Sequence, residues 1–403
     1  PGQALPQPPC LKPNLSMQTF LESSNTVLAT RPPSKATIRV LHIVNGEDYA
    51  GAERVQDTLG LRLPEFGYEV GFACLKNGRF AQARHARRSP LYETPMRSKL
   101  DLAPVRRLTE VVREEGYQIV HTHTPRTALV GAAVAGRARV PLVHHIHCQT
   151  AVEVGRRRWQ DKLNLLLERC ATYRAGKVIA VSPSLHRYLL RRGYSTRQLR
   201  LVPNGVPVQH ATCVGRTLAH PLTVGVVALF RPRKGLEVLL HALALLHEQG
   251  CPARLRAVGR FQSAGYEGEV KRLTVRLRLD ESVEWVGFRQ DVPGELSKID
   301  VLVLPSLVSE AMPMSVLEAM AAGVLVVGTR VDGITDLISD GEDGLLAHPG
   351  DAADLASVLK TIISGEIDPD RLRARALGKQ RERYSDGSLA AGVAEIYDEV
   401  LAP

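Results

Sequence analysis

The stretch that decides the fold is residues 37–54, TIRVLHIVNGEDYAGAER. Its first eight residues are rich in β-branched side chains, which predicts a buried strand. A loop containing Gly51 then leads into a helical pattern, and the same strand, loop and helix unit recurs along the chain. Buried parallel strands that alternate with helices predict a doubly wound α/β architecture.

The strand candidates fall into two groups, which predicts two Rossmann-like domains facing each other across a cleft. Ten more candidates lie at 70–75, 119–122, 142–146, 177–181, 199–202, 222–228, 254–258, 283–286, 301–305 and 324–328. The pattern therefore predicts five regions: a proline-rich, disordered leader at 1–36, an N-terminal acceptor domain at 37–206, a linker at 207–221, a C-terminal nucleotide-binding domain at 222–368, and C-terminal helices at 369–403 that pack back towards the first domain.

Composition excludes several classes of protein. Of the 403 residues, 44% are apolar and 23% are charged, which is typical of a globular chain. Six isolated cysteines indicate neither a disulfide framework nor a zinc knuckle and fit a reducing compartment. No apolar run reaches about 18 residues, so the pattern predicts a cytoplasmic protein. The net charge of +10 favours an anionic partner of unspecified kind.

The most informative segment is residues 305–323, PSLVSEAMPMSVLEAMAAG. A buried strand leads into a loop that carries Glu310, and we expect a helix to begin near Ser315. The free amides and positive dipole at this helix start would suit a phosphate. Glu318 would lie in the first turn, where its carboxylate could accept hydrogen bonds from two ribose hydroxyls. Ser315 and Glu318 also fit a capping box, which would give them a purely structural role.

A second segment, LTVGVVALFRPRKGLEVLL at residues 222–240, places three cations on a tight loop after a strand. Arg231, Arg233 and Lys234 could neutralise a diphosphate, or they could form a solvated basic turn. No Gly-x-Gly-x-x-Gly follows a strand candidate, and no Walker loop is present. Dinucleotide-binding and P-loop functions therefore lose their main support.

Histidines gather at the ends of two predicted strands, in VHTHTP and VHHIHCQ: His121, His123, His144, His145 and His147. Alternate histidines on a strand project to one face, so a metal site is conceivable. No carboxylate or cysteine lies at ligand spacing, which favours neutral imidazoles that bind a substrate hydroxyl or are satisfied in the core. We therefore expect no metal. The Asp368-Pro369-Asp370 sequence reads as a turn and helix N-cap.

Together these segments resemble the family 4 glycosyltransferases, which have the two-domain GT-B fold. Glu310 and Glu318 match the family's pair of glutamates separated by seven residues. Four other stretches match in order, from about Ile38 to the terminal helix: AGAER, VHTHTP, VIAVSPSLHRYLLRRGYSTRQLRLVPNGV and RPRKG. The resemblance implies a retaining, metal-independent enzyme without a cofactor, which moves a sugar from a nucleotide-diphosphate sugar to an acceptor hydroxyl in glycan, polysaccharide or glycolipid biosynthesis.

The resemblance also implies where the donor lies. Glu318 would hold the ribose hydroxyls and Glu310 would face the donor sugar. The implied catalytic residues are Glu310, His123, Arg231 and Lys234; the donor-binding residues are Glu318, Gly51, Ala311, Met312, Pro313, Met314, Gly287 and Arg289; the acceptor or sugar side has His147 and Asn45.

Two positions depart from the family pattern. Leu229 stands where the family has an arginine, so Arg231 would have to reach the diphosphate from two residues later. Ala50-Gly51 replaces a usual Gly-Gly pair. Two other functions stay open. One is a relative of the same fold with different chemistry, such as a nucleotide-sugar 2-epimerase. The other, which the weakened phosphate loop and the basic excess suggest, is a non-catalytic protein that binds a sugar nucleotide or a membrane surface.

The remaining positive charge bears on the acceptor. Three basic groups are predicted to be solvated or to face an anionic acceptor or membrane: Arg84, Arg87 and Arg88; 156–158, beside an apolar stripe that reaches residue 170; and 371–383. The expected partners are thus a nucleotide-sugar donor, a glycan or lipid-linked acceptor and an anionic membrane surface, with no nucleic acid. Such a protein would sit peripherally at the inner face of the membrane.

Overall fold

The computed structural model describes residues 37–98, 101–149, 168–173, 175–209 and 213–402. Within them lie two sheets in which every pair of neighbouring strands is parallel. Helices connect the strands, so the predicted doubly wound α/β architecture is confirmed. The predicted leader and most of the basic and apolar stripe at 156–170 lie outside the described residues.

The first sheet has seven strands in the order β3-β2-β1-β4-β5-β6-β7. The strands are β1 Ile38–Val44, β2 Tyr68–Cys74, β3 Leu91–Glu93, β4 Ile119–Thr122, β5 Leu142–Ile146, β6 Lys177–Ala180 and β7 Leu199–Leu201. The helices are α1 Gly51–Arg62, α2 Arg79–Ala83, α3 Ala103–Glu114, α4 Pro125–Ala138 and α5 Pro183–Arg191. Every residue of β4 and β5 is buried, because helices cover both faces of the sheet.

The second sheet has six strands in the order β10-β9-β8-β11-β12-β13. The strands are β8 Leu222–Val227, β9 Ala253–Val258, β10 Val283–Gly287, β11 Val301–Leu304, β12 Leu325–Thr329 and β13 Leu345–Ala347. The helices are α6 Leu236–Glu248, α7 Ala264–Arg276, α8 Val292–Leu296, α9 Met314–Ala322, α10 Ala352–Ile363, α11 Pro369–Arg383 and α12 Asp386–Leu401. Helical turns of the 3-10 type also occur, including Pro232–Lys234.

Two strands, β3 and β13, have no counterpart among the sequence candidates. Each has three residues and lies at the edge of its sheet. Short edge strands carry too few residues to show a periodicity, and their pairing with β2 and β12 forms only in the folded chain.

The last two helices connect the two sheets. Helix α11 contacts α9 and β12 of the second sheet, whereas α12 contacts α1 of the first. The Asp368 side chain caps α11 by accepting hydrogen bonds from the amides of Asp370 and Arg371 at 3.0 and 3.1 Å, so the predicted N-cap is confirmed. The domain boundaries assigned from the sequence stay predictions.

Two of the basic residues that were expected at the surface are buried, so that expectation is wrong for them. Arg84 is 8% exposed and donates to the carbonyl oxygens of Ala86 and Ser89. Arg373 is 0% exposed and donates to the Arg216 carbonyl oxygen at 2.9 Å and to the Asp370 carboxylate at 3.1 Å. Carbonyl groups of its own loop let the Arg84 guanidinium leave water, whereas Arg373 depends on the distant carbonyl oxygen of Arg216.

In the part of the chain that the structure describes, none of the helices combines the length and the hydrophobicity that crossing a bilayer requires.

Candidate active site

The carboxyl ends of the two sheets' strands face one cleft. In the first domain, three candidates directly follow strands: Asn45 follows β1, His123 follows β4 and His147 follows β5. In the second domain, Gly287 ends β10, and the loop with Glu310 follows β11. Contacts across this cleft include three hydrogen bonds: Arg260 donates to Asp48 at 2.8 Å, Gln149 donates to Ser309 at 3.0 Å, and the backbone amide of Ser184 donates to the Asp336 carboxylate at 3.0 Å. The two domains are therefore in contact across the cleft, and the structure has a closed conformation.

Glu310 lies at the centre of a charged cluster on the second domain. Its carboxylate accepts hydrogen bonds from Lys234 Nζ at 2.7 Å, from Arg233 Nη2 at 2.9 Å and from Ser306 Oγ at 2.7 Å. The side chain of Arg231 is close enough for its charge to lower the pKa of Lys234. The structure thus brings together Glu310 and the cations that the sequence assigned to a diphosphate.

Burial and charge oppose each other in this cluster. Burial alone would raise the pKa of the Glu310 carboxyl, but the charges of Lys234 and Arg233 outweigh it and hold that pKa below its ordinary value. Burial also lowers the pKa of Lys234, and Glu310 offsets part of that effect. Glu310 is consequently a carboxylate near neutral pH, and the surrounding cations can stabilise a second anion.

Two glycines let the loops of this cluster approach each other. Gly235 ends the cationic turn with φ +66°, and an added Cβ would collide with the carbonyl oxygen of Pro305. Gly333 has φ +84°, and an added Cβ there would collide with the carbonyl oxygen of Glu310. Both positions need glycine for conformation and for space.

Helix α9 begins at Met314 with Pro313 as its N-cap, one residue before the predicted start. Glu318 is therefore the fifth residue of the helix, and the expectation that it lies in the first turn within a capping box is wrong. The reason is that the backbone after Pro313 is already helical. Glu318 is 3% exposed and forms an ion pair with Arg54 of α1, across the cleft.

Burial raises the pKa of Glu318, and the neighbouring Arg54 partly offsets this effect. A buried carboxylate whose charge is balanced by one cation can also accept hydrogen bonds from other donors in place of that cation. Ribose hydroxyls are such donors, since a carboxylate can accept from two of them.

The loop that precedes α9 also reaches the first domain. Met312 is buried, and its sulfur accepts a hydrogen bond from the backbone amide of Asn204 at 3.1 Å. An added Cβ at Gly51 would lie 3.5 Å from Met314 Cγ, so the start of α1 faces the start of α9. The segment Ala311–Met314 therefore lies between the two domains, as a donor-binding loop would.

The histidines that alternate on β4 and β5 lie on one face, as predicted: His121, His123, His145 and His147 have neighbouring ring centroids 4.3–5.7 Å apart. His144 points to the other face and contacts Thr122 Oγ1 at 2.8 Å. Both ring nitrogens of His123 are already paired, Nδ1 with His147 Nε2 and Nε2 with His42 Nδ1, each at 3.1 Å. His147 is half-buried, whereas His123 is 2% exposed.

The remaining candidates lie at the periphery. Gly287 has φ +74°, and its carbonyl oxygen accepts from the Gly259 amide at 2.9 Å. The half-exposed side chain of Arg289 lies 4.0 Å from Glu295. Asn45 Oδ1 accepts from Thr124 Oγ1 at 3.4 Å. The structure does not join Arg289 to the charged cluster around Glu310.

Two family models match successive parts of the chain: "Glycosyltransferase Family 4" over residues 49–210 and "Glycosyl transferases group 1" over residues 221–365. The chain belongs to the family 4 glycosyltransferases. The amylovoran biosynthesis glycosyltransferase AmsK of Erwinia amylovora is 30% identical over 209 residues, which are 49% of this glycosyltransferase and 51% of AmsK. This chain thus matches about half of that relative's length.

Other relatives match over more of the glycosyltransferase. The phosphatidyl-myo-inositol mannosyltransferase of Mycobacterium leprae is 27% identical over 289 residues, 70% of this chain and 74% of that protein. Among solved structures, Anabaena Alr3699/HepE in complex with UDP-glucose has a TM-score of 0.77 at 23% identity, covering 90% of this chain and 99% of that one. Staphylococcus aureus TarM has a TM-score of 0.74 at 11% identity, with 91% and 100% covered. These likenesses show that the glycosyltransferase has the GT-B fold.

The site of this glycosyltransferase includes residues that sequence reasoning missed. Arg54 lies within the AGAER motif but was not assigned a partner. His42 and Tyr397 extend the histidine cluster: Tyr397 Oη lies 2.9 Å from His42 Nε2 and 2.6 Å from His121 Nδ1. A histidine on β1 was a usable signal for His42, whereas the sequence held no signal for Tyr397.

Two groups of the histidines have ring nitrogens within 4.8 Å of one another, namely His42, His121 and His123, and His123, His145 and His147. Three imidazoles are a donor set that Zn²⁺ accepts. In this structure, however, both ring nitrogens of His123 lie at hydrogen-bond distance from the nitrogens of His42 and His147. The imidazoles are therefore arranged as a hydrogen-bonded chain.

Proposed function

We propose that this glycosyltransferase moves a sugar from a nucleotide-diphosphate sugar to an acceptor hydroxyl, with retention of anomeric configuration and without a metal. The observation that carries the proposal is the cluster of Lys234, Arg233 and Glu310 beside the start of α9, with Glu318 buried in the same helix. This arrangement combines diphosphate, ribose and sugar recognition.

Departure of the diphosphate develops negative charge on its leaving oxygen. Lys234 and the arginines of its loop are fixed beside Glu310, and the start of α9 adds the positive end of a helix dipole. Charges held in place before the reaction stabilise the leaving group where it forms. These cations supply the role that a divalent ion would otherwise have.

Donor binding would replace two sets of contacts in the site, those of Glu310 with Lys234 and Arg233 and that of Glu318 with Arg54. The diphosphate would take over Lys234 and Arg233 from Glu310, which would turn the Glu310 carboxylate towards the sugar. The ribose hydroxyls would take over Glu318 from Arg54. In both exchanges the carboxylate would lose a cation and accept hydrogen bonds from hydroxyls of the donor instead, so its oxygens would stay hydrogen-bonded.

Retention is proposed to occur by attack of the acceptor hydroxyl on the same face, with the departing phosphate taking its proton. A covalent route needs a carboxylate that is placed to attack the sugar. After the diphosphate takes over Lys234 and Arg233, Ser306 Oγ, which lies 2.7 Å from Glu310, would still hold one oxygen of this carboxylate. A glycosyl adduct trapped on Glu310 would contradict the proposed route, and loss of activity in EDTA would contradict metal independence.

The relatives suggest the classes of substrate. Alr3699/HepE binds UDP and UDP-glucose, which supports a nucleoside-diphosphate hexose as donor. The mannosyltransferase relatives act on phosphatidyl-myo-inositol, which supports a lipid-linked acceptor at an anionic membrane. Co-sedimentation with anionic vesicles that fades at high salt would support membrane attachment, and no binding at low salt would refute it.

The site assignment is tested by Lys234→Ala and Glu318→Gln. We expect each variant to lower turnover at least ten-fold, which corresponds to about 1.4 kcal/mol of barrier, while circular dichroism shows that it stays folded. Lys271→Ala, on the surface of α7, is a matched control that should keep full activity. Nucleotide release would be measured with and without acceptor, because dependence on the acceptor separates transfer from epimerisation. Unchanged release in both site variants would refute the assignment.

A further inference from the structure

A continuous chain of side-chain contacts runs from the last helix to the cleft. Tyr397 on α12 contacts His42 Nε2 at 2.9 Å, His42 Nδ1 contacts His123 Nε2 at 3.1 Å, and His123 Nδ1 contacts His147 Nε2 at 3.1 Å. A branch joins Tyr397 to His121 Nδ1 at 2.6 Å. At each of these contacts between the four imidazoles and the phenol, one hydrogen lies between the two facing atoms, so one atom donates and the other accepts.

The chain is neutral and mostly shielded from water. His42, His121 and Tyr397 are 0% exposed and His123 is 2% exposed. Burial lowers the pKa of His42 and of His147 to about 3, and burial lowers the pKa of His121 and His123 as well. Each neutral imidazole carries one N–H and one bare nitrogen. Once one tautomer is fixed, the tautomers of all its hydrogen-bonded neighbours follow.

Tyr397 has one hydroxyl hydrogen for two imidazole neighbours, so it donates to one and accepts from the other. Bonds donated by a hydroxyl are shorter than those donated by N–H. The 2.6 Å contact therefore assigns the Tyr397 hydrogen to His121, and the 2.9 Å contact makes His42 Nε2–H the donor to Tyr397. His123 and His147 must then also carry their hydrogen on Nε2.

We infer that Tyr397 is a positioning residue that sets the tautomers of His42, His123 and His147, so that His147 keeps a bare Nδ1. No side-chain partner of His147 Nδ1 is present among the described residues. His147 as a whole is half-buried and follows β5 at the cleft edge, but its Nδ1 atom is covered in this closed form, so a substrate hydroxyl would reach it only after the neighbouring groups move aside. A bare Nδ1 would accept a hydrogen bond from a substrate hydroxyl and hold its oxygen for attack. This consequence rests on the proposed function, whereas the tautomers themselves do not.

The variant Tyr397→Phe tests the inference because it removes one oxygen and keeps the ring. His42 Nε2–H would then be buried without an acceptor, which is costly. Moving each hydrogen to Nδ1 would transfer the unpaired N–H from the core at His42 to His147 Nδ1 at the cleft edge, where an opening of the cleft would give it water as a partner. Tyr68→Phe is the matched control: its ring packs edge-on against Tyr397 at 5.0 Å, and its hydroxyl donates to Asp398, outside the imidazole chain.

The measurement is nitrogen NMR of ¹⁵N-histidine-labelled protein in EDTA, which distinguishes Nε2–H from Nδ1–H. We expect Nε2–H for His42, His123 and His147 in the wild type and in Tyr68→Phe. In Tyr397→Phe, we expect His123 and His147 to shift towards Nδ1–H although neither contacts residue 397. Mixed or Nδ1–H tautomers in the wild type would overturn the inference even if the variant did not fold, and so would unchanged tautomers in Tyr397→Phe.

Kinetics separate this inference from the proposed function. We expect Tyr397→Phe to lower kcat/KM for the acceptor about ten-fold and to leave the donor Kd unchanged, whereas Tyr68→Phe keeps both. An equal loss in the two variants would overturn the positioning role. Absence of transfer by the wild-type protein with any donor would refute the proposed function and leave the tautomer result standing.

Discussion

Mild acid is expected to destabilise the protein because four histidines are buried in their neutral form. His42, His121 and His145 are 0% exposed, and His123 is 2% exposed. Burial lowers the pKa of each imidazole, to about 3 for His42, and the nearby histidines lower the other three further. Protons therefore bind the unfolded chain at a pH where the folded cluster stays neutral.

The magnitude follows from the difference in bound protons. An unfolded histidine titrates near pH 6.5, so it takes up about 0.8 proton between pH 7.5 and 5.5. The folded imidazole takes up almost none. Stability is thus complete above about pH 6.5 and falls as the pH drops from there towards 3, by about 1.4 kcal/mol per histidine at pH 5.5. Four histidines give about 5.5 kcal/mol, and His147, whose pKa burial also lowers to about 3, adds about 1.4 kcal/mol. The total is a large part of the usual stability of about 5–15 kcal/mol.

Urea unfolding followed by circular dichroism at pH 7.5, 6.5 and 5.5 would measure this loss. His145→Leu removes one buried imidazole whose ring nitrogens have no hydrogen-bond partner in the described residues, so the loss should become smaller by about 1.4 kcal/mol. His241→Gln, on the exposed face of α6, should leave the loss unchanged. A wild-type loss below about 1 kcal/mol, or equal effects of the two substitutions, would refute the reasoning.

Two further predictions concern buried contacts and use thermal and urea unfolding as the measurement. Gly333→Ala should lower the free energy of unfolding by about 1–3 kcal/mol because the added Cβ would collide with the Glu310 carbonyl oxygen. Gly365→Ala is the control, since Gly365 also has a positive φ, +73°, but has open space around it. Equal losses for the two substitutions would contradict the contact argument. Arg373→Leu should cost about 2–4 kcal/mol by leaving buried acceptors unpaired, whereas exposed Arg375→Leu on the same helix should stay within about 0.5 kcal/mol. Similar costs for the two arginines would show that burial of Arg373 contributes little.

The sequence predicted the strands of this protein well where they are central. Strands β4 and β5 have the predicted bounds, because a strand buried on both faces must be apolar along its whole length. Motif order predicted that Glu310 and the RPRKG loop belong to one site. The parallel topology explains why, since loops that follow neighbouring strands β8 and β11 meet at one edge of the sheet.

The electrostatic partners within that site were not predictable in the same way. For Glu318 the sequence suggested ribose hydroxyls or a capping role within its own helix, and neither suggestion named Arg54 of the other domain, with which it pairs in this structure. Arg373 was expected at the surface, yet it is buried and donates to the carbonyl oxygen of Arg216, 157 residues earlier. A local pattern gives the charge of a side chain but cannot show which distant carboxylate or carbonyl group will face it.

By itself the sequence determined the alternation of strands and helices, the positions of the loops at the strand ends and the kinds of side chain that those loops carry. These features depend on local periodicity and on the conformations of a few neighbouring residues. Only the tertiary structure decided that Tyr397 meets His42, 355 residues earlier, and that Arg54 meets Glu318 across the cleft. The physical reason is that such pairs form when packed elements exclude water, and no short stretch of chain encodes which elements will pack together.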